Sequence, residues 1–161
     1  MRPTEPLPLH HSWPLHDLHE HLAPVMLDER AARDDEALAE RGIGLWYCDL
    51  RDNSLSWTDG VHDLFGIGRD MAVPRPLAVS LYAPDSREAM ERLRAYAIRH
   101  RRGFTLDVDI RPLHGGECAM RLIAAPILQG ARVVALHGVK QFLPRGTAPS
   151  RGLDPTLFSL P

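Results

Sequence analysis

Three apolar segments separated by glycine-containing turns constrain the fold of this chain more than any other feature. Residues 104–111 alternate strictly between apolar and polar side chains, which is the pattern of a half-buried strand. His114-Gly115-Gly116 and Gln129-Gly130-Ala131 are turn sequences, and we predict strands over residues 117–128 and 132–142. Consecutive strands joined by short turns pair antiparallel, so the sequence predicts an antiparallel meander.

A second pair of strands is predicted nearer the N-terminus. Residues 45–50 are apolar and aromatic, residues 51–53 have turn composition, and residues 55–57 alternate. Helices are predicted between the two groups of strands, one ending at Gly66 and a longer one over residues 85–101. Strands at both ends with helices between them favour an α+β domain, in which one antiparallel sheet is half covered by helices.

The flanking regions differ from this domain in composition. We predict that residues 1–24, rich in Pro and His, form a flexible arm, and that residues 144–161 form a disordered tail. Residues 25–41 are predicted to form an amphipathic helix with a narrow apolar stripe. A narrow stripe favours packing on a partner chain, so we expect a homodimer contact through Leu27, Ala31 and Leu38.

Composition limits the classes of function. A chain of 161 residues suits one domain, here residues 42–143, and a net charge of −2 does not favour nucleic-acid binding. The arginines of residues 92–102 are preceded or interrupted by Glu88 and Glu91, which favours a solvated helix face. No apolar run reaches the length of a membrane span, and we expect that the N-terminal residues do not form a signal peptide. With two unpaired cysteines, Cys48 and Cys118, the expected location is the cytoplasm.

Several short motifs, in order, resemble those of PAS domains. Residues 42–67, GIGLWYCDLRDNSLSWTDGVHDLFGI, resemble the PAS variety with a Gly-Ile-Gly-x-Trp strand, a Trp-Ser strand end and a Phe-Gly helix end. Residues 82–86 resemble the His-Pro-Asp-Asp segment, and residues 109–116 the Arg-containing strand with its turn. The resemblance covers residues 37–142 and implies a five-stranded antiparallel sheet, in the order 2-1-5-4-3, with helices on one face plus an N-terminal helix.

The end of the last strand departs from the family pattern. PAS domains of this variety usually close with Asp-Ile-Thr and continue into a signalling helix. Residues 140–145 read KQFLPR, without the Asp, and Pro144 prevents a helix from continuing directly. We therefore expect either a stand-alone PAS module or one that signals through its N-terminal helix or by binding another protein.

The resemblance also implies a small-ligand pocket between the sheet and the helices. His137 shares a strand face with Val133, Ala135 and Val139, and we predict that it is a polar group in an apolar cavity. Trp46 and Trp57 are equally well explained as ordinary core residues. The predicted pocket lining is Trp46, Trp57, Phe65, Met90, Leu93, Phe104, Leu106 and His137.

The sequence names no cofactor. The Asn-Cys-Arg-Phe-Leu-Gln-type motif of flavin photoreceptors is absent. His100 lies on the apolar face of the long helix, where some PAS domains carry a heme ligand, but a single such histidine is more often simply packed. No metal site is predicted, because the histidines of the arm have no carboxylate or Cys side chains in close register with them. These histidines are His10, His11, His16, His19 and His21.

We predict a non-catalytic PAS sensory or interaction module of bacterial signal transduction, which binds a small ligand, a separate partner protein, or both. The alternative is a PAS adaptor whose core is filled by side chains and which serves only protein–protein interaction or dimerisation. A third and remote alternative is a small-ligand enzyme with His137 or His62 as the acid–base group. The chain contains no recognisable nucleophile elbow, P-loop or HExxH motif.

Overall fold

The computed structural model describes residues 11–22 and 34–147, which form one antiparallel sheet with helices on both of its faces. The strands are β1 (Ser12–Pro14), β2 (Ile43–Asp49), β3 (Ser54–Trp57), β4 (Arg102–Ile110), β5 (Cys118–Gln129) and β6 (Arg132–Leu143). A 3-10 turn (Leu15–Asp17) precedes the helices α1 (Leu18–Leu22), α2 (Asp35–Glu40), α3 (Asp59–Phe65), α4 (Arg75–Ser80) and α5 (Pro84–His100).

The strand order in the sheet is β1-β4-β5-β6-β2-β3. The α+β fold class, the five predicted strands and their relative order are confirmed. The strand count is corrected from five to six, because Ser12–Pro14 adds a short strand to the free edge of β4. A proline is tolerated there because an edge strand leaves one side of its backbone unpaired.

The N-terminal segment, residues 12–22, packs on the sheet. Trp13 is 2% exposed, and its ring lies so close to Gly103 that a β-carbon there would come within 2.1 Å of it. The Trp13 Nε1–H group donates a hydrogen bond to Thr105 Oγ1 at 3.0 Å. The predicted flexible arm is therefore wrong for residues 12–22, because this buried tryptophan fixes the segment to β4. Residues 1–10 and 23–24 of the predicted arm lie outside the described residues.

Of the helix predicted over residues 25–41, the described residues include only the C-terminal part, which forms α2 (Asp35–Glu40). Asp34 caps it by accepting hydrogen bonds from the backbone N–H groups of Glu36 and Ala37, at 3.0 and 3.2 Å. Leu38 is 1% exposed within this single chain, so it is not available as a dimer contact, and that prediction is corrected. Leu27 and Ala31 lie outside the described residues, as do residues 148–161 of the predicted tail.

Helix α3 sits directly on β2 because two glycines face each other. A β-carbon on Gly60 would lie 1.9 Å from the carbonyl oxygen of Ile43, and one on Gly44 would lie 2.3 Å from the backbone nitrogen of Val61. Any side chain at either position would force the helix away from the strand. This close approach brings Phe65, at the end of α3, over the sheet face that carries Trp46 and Trp57.

The two faces of the sheet carry separate apolar clusters. The inner face is covered by α3, α4 and α5, and its strand residues include Leu55, Phe104, Leu106, Met120 and Leu122. The outer face is covered by the N-terminal segment and α2, and its cluster comprises Trp13, Leu38, Ile43, Ile123, Ala125 and Val139, with Leu15, Leu18, Leu22 and Leu45 beside it. Both faces are therefore apolar along the central strands.

Candidate functional site

A small cavity lies between the inner face of the sheet and helices α4 and α5. Its free volume is about 50 Å³, enough for a few water-sized groups. The wall is mostly apolar, with a few polar groups. It is formed by Trp46, Cys48, Leu55, Arg75, Ala78, Val79, Tyr82, Met90, Arg94, Phe104, Leu122, Leu136 and Lys140.

Lys140 is the most unusual residue of this wall. It is the only lysine of a chain with 19 lysine and arginine residues, yet it is 6% exposed. Its Nζ atom lies 4.9 Å from the ring centre of Phe65 and 5.4, 5.4 and 5.6 Å from those of Trp46, Trp57 and Tyr82. The faces of aromatic rings attract cations, so four rings together stabilise a buried ammonium group.

No carboxylate accompanies this amine in the part of the chain that the structure describes. The amine contacts the four rings, and no hydrogen bond or ion pair joins it to residues 11–22 or 34–147. Burial, and secondarily the charge of Arg75, lowers the pKa of Lys140 to about 7. The amine is thus held between its charged and neutral forms near neutral pH.

Two indole groups beside Lys140 also lack partners. The Nε1 atoms of Trp46 and Trp57 are buried, and neither has a hydrogen-bond acceptor among the described residues. Trp13, on the outer face, has its indole N–H satisfied by Thr105. Buried donors are normally paired, and an unpaired donor costs free energy, so the two inner indoles point to a missing acceptor.

The helical side of the cavity adds two arginines. Arg75 of α4 forms an ion pair with Glu91 of α5. Arg94 of α5 donates from Nη2 to Asn53 Oδ1 at 3.0 Å, which links the helix to the turn between β2 and β3. The cavity therefore carries an excess of positive charge and of hydrogen-bond donors.

The structure separates the eight predicted pocket residues into four groups. Trp46, Met90 and Phe104 line the cavity, and Trp57 and Phe65 contact the Lys140 amine. Leu93 and Leu106 belong to the surrounding inner cluster without lining the cavity. The position of His137 was predicted wrongly, because it pairs with Tyr47 and Ala125, one residue out of step with the inward-facing Leu136 and Lys140.

Sequence reasoning missed Lys140, Arg75 and Tyr82. Lys140 carried two usable signals, since it is the only lysine of the chain and it lies within an apolar strand. Its contact with rings from β2, β3 and α3 depends on tertiary packing, which a local pattern does not show.

The other candidate histidines do not line the cavity. His62 is buried beside Trp57, with ring centres 5.2 Å apart, and its Nδ1 atom has no partner among the described residues. His100 is exposed and packs against Tyr96, so the prediction that it faces the apolar side of the helix is wrong. The free volume of the cavity, about 50 Å³, is smaller than the roughly 300–1,000 Å³ typical of pockets for drug-sized ligands.

Residues 11–22 and 34–147 show neither a metal site nor a membrane-spanning helix. They contain no group of three or more His, Cys, Asp or Glu side chains placed to hold a metal ion. No helix in this part of the chain is long and apolar enough to cross a membrane. Within the predicted histidine cluster, His21 stacks on Trp13 with ring centres 4.1 Å apart, and His10 lies outside the described residues.

Sequence comparison gives one short match. Sensor protein FixL of Bradyrhizobium diazoefficiens is 40% identical over 50 residues, which is 31% of this chain and 10% of FixL. The chain thus matches about a tenth of the length of this curated relative. No protein-family model matches the sequence.

Comparison with solved structures is more extensive. The PAS domain of a protein from Colwellia psychrerythraea has a TM-score of 0.56 and 18% identity, over 73% of this chain and 97% of that one. A sensory box histidine kinase/response regulator from Burkholderia thailandensis has a TM-score of 0.57 and 14% identity, over 69% and 84%. The LOV domain of a blue-light activated histidine kinase from Erythrobacter litoralis has a TM-score of 0.51 and 20% identity, over 63% and 95%. With the order of strands and helices described above, these similarities show that the chain has the fold of a PAS domain.

Proposed function

We propose that this chain is a non-catalytic sensory module of bacterial signal transduction, which binds a small ligand in the cavity around Lys140. The observation that carries this proposal is the buried Lys140 amine, which has aromatic rings around it and no carboxylate partner in residues 34–147. A core that served only packing would gain stability from an apolar residue there. The similarity to FixL, a sensor protein, and to the Burkholderia sensory box histidine kinase/response regulator supports this role.

A route from the cavity to the outer face runs through the two central strands. Lys140 and Trp46 face the cavity, and their neighbours Val139 and Leu45 lie in or beside the outer cluster, in which Leu38 of α2 is buried. A ligand that binds one arrangement of β2 and β6 more tightly than another increases the population of that arrangement, and the position of α2 changes with it. The size of the shift is set by the difference in affinity for the two arrangements. We propose that this shift is passed to a partner protein in the cytoplasm, where the free thiols of Cys48 and Cys118 are maintained.

Native mass spectrometry of three proteins tests this proposal: the wild type, Lys140→Met, and the control Arg145→Met, which removes a cation from an exposed position near the end of β6. Each is incubated with a mixed pool of small carboxylates, amides, amines and sugars. We expect a bound component on the wild type and on Arg145→Met but not on Lys140→Met. Equal binding to all three, or binding to none, would overturn the cavity as a sensing site.

The second candidate function is a ligand-free PAS adaptor for protein–protein interaction or dimerisation. The observation that favours it is the free volume of about 50 Å³, because the surrounding side chains nearly fill the cavity. In the same measurement, the adaptor predicts a bare chain for all three proteins. A homodimer through residues 25–41 stays a prediction, and a bare mass at twice that of the chain would support it together with the adaptor.

A further inference from the structure

We propose that the ligand of the Lys140 cavity is a short aliphatic carboxylate of about two to four carbon atoms. This inference rests on the proposed sensory function and specifies its ligand. The carboxylate would accept hydrogen bonds from the Lys140 ammonium and from the indole N–H of Trp46, and its aliphatic end would lie against the apolar wall. Three properties of the cavity support this class: its charge, its hydrogen-bonding groups and its size.

The charge of the cavity is positive. Lys140, Arg75 and Arg94 line it, and the nearby acid Glu91 is paired with Arg75. An uncompensated charge is costly in an apolar site, whereas an ion pair with added hydrogen bonds offsets much of that cost. An anionic ligand therefore supplies the counter-ion that the described chain does not provide for Lys140.

The hydrogen-bonding groups of the cavity are mainly donors. In the cavity wall, the Lys140 amine lies among aromatic rings, and the buried indole N–H group of Trp46 has no acceptor among the described residues. The indole N–H group of Trp57, beside the amine but outside the wall, also lacks an acceptor there. An ionised carboxylate is purely an acceptor, with two oxygens. A primary amide of the same shape would bring its own NH₂ group into this site. The cavity therefore discriminates against the amide, because the NH₂ group of the amide would be buried facing other donors and without an acceptor.

Size and wall chemistry limit the rest of the ligand. A free volume of about 50 Å³ admits only a few non-hydrogen atoms. The remaining wall is apolar, with Leu55, Val79, Met90, Leu122 and Leu136 around the cavity. A short hydrocarbon tail suits this wall, whereas a tail with hydroxyl groups would bury polar atoms against apolar side chains.

Binding of a carboxylate would depend on the protonation of Lys140. The groups that face its amine or line the same cavity are Arg75 of α4, Glu91 and Arg94 of α5, Tyr82, Cys48 of β2 and, behind Trp57, His62 of α3. Because burial lowers the pKa of Lys140 to about 7, its charged form becomes scarcer as the pH rises above that value. We expect the affinity for carboxylate to fall about tenfold per pH unit above pH 7.

The three tryptophans provide an internal control for an NMR titration. Propionate and its neutral isostere propionamide are titrated separately into ¹⁵N-labelled wild type at pH 6. We expect propionate to shift the indole N–H signals of Trp46 and Trp57 and to leave that of Trp13 unchanged, because Trp13 is already bonded to Thr105 on the other face. Propionamide should bind about 10- to 100-fold more weakly, the value of one charge-assisted hydrogen bond.

The same titration with Lys140→Met and Arg145→Met assigns the effect to the cavity. We expect Lys140→Met to lose propionate binding by about 10- to 100-fold and Arg145→Met to retain it. Stronger binding of propionamide than of propionate would overturn the carboxylate and leave the sensory function standing. An absence of propionate shifts also overturns it, and the mixed-pool mass measurement then decides separately whether another ligand occupies the cavity.

Discussion

The two faces of the sheet are built from the same strands but differ in how their buried polar groups are paired. On the outer face, Trp13 is buried in an apolar cluster, and its indole N–H is bonded to Thr105. On the inner face, the partly buried Trp46 and Trp57 have buried, unpaired indole nitrogens, and they surround a lysine that has no carboxylate partner among the described residues. The outer face thus contributes to stability, whereas the inner face contains hydrogen-bond donors that have no acceptor among the described residues.

This difference separates the residues that hold the fold from those that are available for a ligand. Substitutions on the outer face should lower the free energy of unfolding at every pH. Removing Lys140 from the inner face should raise that free energy, in a way that depends on pH. The following four predictions test the contrast, from the largest expected effect to the smallest.

Trp13→Ala should have the largest effect. It removes a side chain that is 2% exposed and that fixes the N-terminal segment to β4, and the expected loss in free energy of unfolding is about 3–5 kcal/mol. Urea denaturation followed by circular dichroism measures it. His16→Ala, at a side chain 83% exposed, is the control and should change little. A loss below about 1 kcal/mol would show that the segment does not stabilise the sheet.

Lys140→Met should stabilise the chain by about 2 kcal/mol at pH 6. Burial lowers the pKa of Lys140 to about 7 in the folded chain from an ordinary value of 10.5. Between these values the unfolded chain binds a proton that the folded chain lacks, so wild-type stability rises with pH. The advantage of Lys140→Met should therefore be full below pH 7 and shrink toward pH 10.

Urea denaturation of Lys140→Met and the wild type at pH 6, 8 and 9.5 measures this difference. Arg145→Met is the matched control, because it removes a charge from an exposed site and should show no such pH trend. Parallel stability curves for Lys140→Met and the wild type would contradict an amine that is buried without a counter-ion.

Thr105→Val should have a smaller effect, a loss of about 1–2 kcal/mol. The substitution keeps the β-branched shape but removes the Oγ1 acceptor, so the Trp13 indole becomes unpaired like those of the inner face. Thr147→Val, at an exposed residue whose hydroxyl bonds only to the nearby Pro144 carbonyl, is the control. If Thr105→Val leaves the free energy of unfolding unchanged, an unpaired indole N–H costs little in this sheet. The unpaired indoles of Trp46 and Trp57 would then no longer be evidence for a ligand.

Arg69→Ala should have the smallest effect. Its guanidinium bonds to Glu36 of α2 and Asp63 of α3, each at 2.8 Å, but all three side chains are 43–56% exposed. Exposed ion pairs are screened by salt. We expect a slight loss in thermal stability at 20 mM salt that vanishes at 1 M salt. A large loss that persisted in salt would mean that Arg69 holds α2 and α3 together by packing.

The sequence predicted the domain better than its edge. Alternation, turns and the PAS-like motifs were enough for β2 to β6, because those signals are local. The N-terminal strand was missed because its prolines argue against regular structure, and its pairing with β4 is set by Trp13, 90 residues away along the chain from Gly103. Local composition carries no information on such a long-range contact.

The candidate site was predicted only in part, for a related reason. Assigning His137 to the cavity required knowing which face of β6 is the inner one. Both faces are apolar here, because the N-terminal segment covers the outer one, so hydrophobic alternation does not distinguish them. Choosing the wrong face of β6 placed His137 in the cavity, whereas Leu136 and Lys140 of the opposite face line it.

The most direct test of the central claim is the pKa of Lys140 in the ligand-free chain. Because the chain has one lysine, selective ¹³C/¹⁵N-lysine labelling gives a single side-chain signal, which is followed by NMR from pH 5 to pH 10.5. Our account predicts a midpoint near pH 7 that moves upward when propionate is present. A midpoint near the ordinary value of 10.5 would mean that the amine is solvated or paired, and would contradict a sensing cavity built around it.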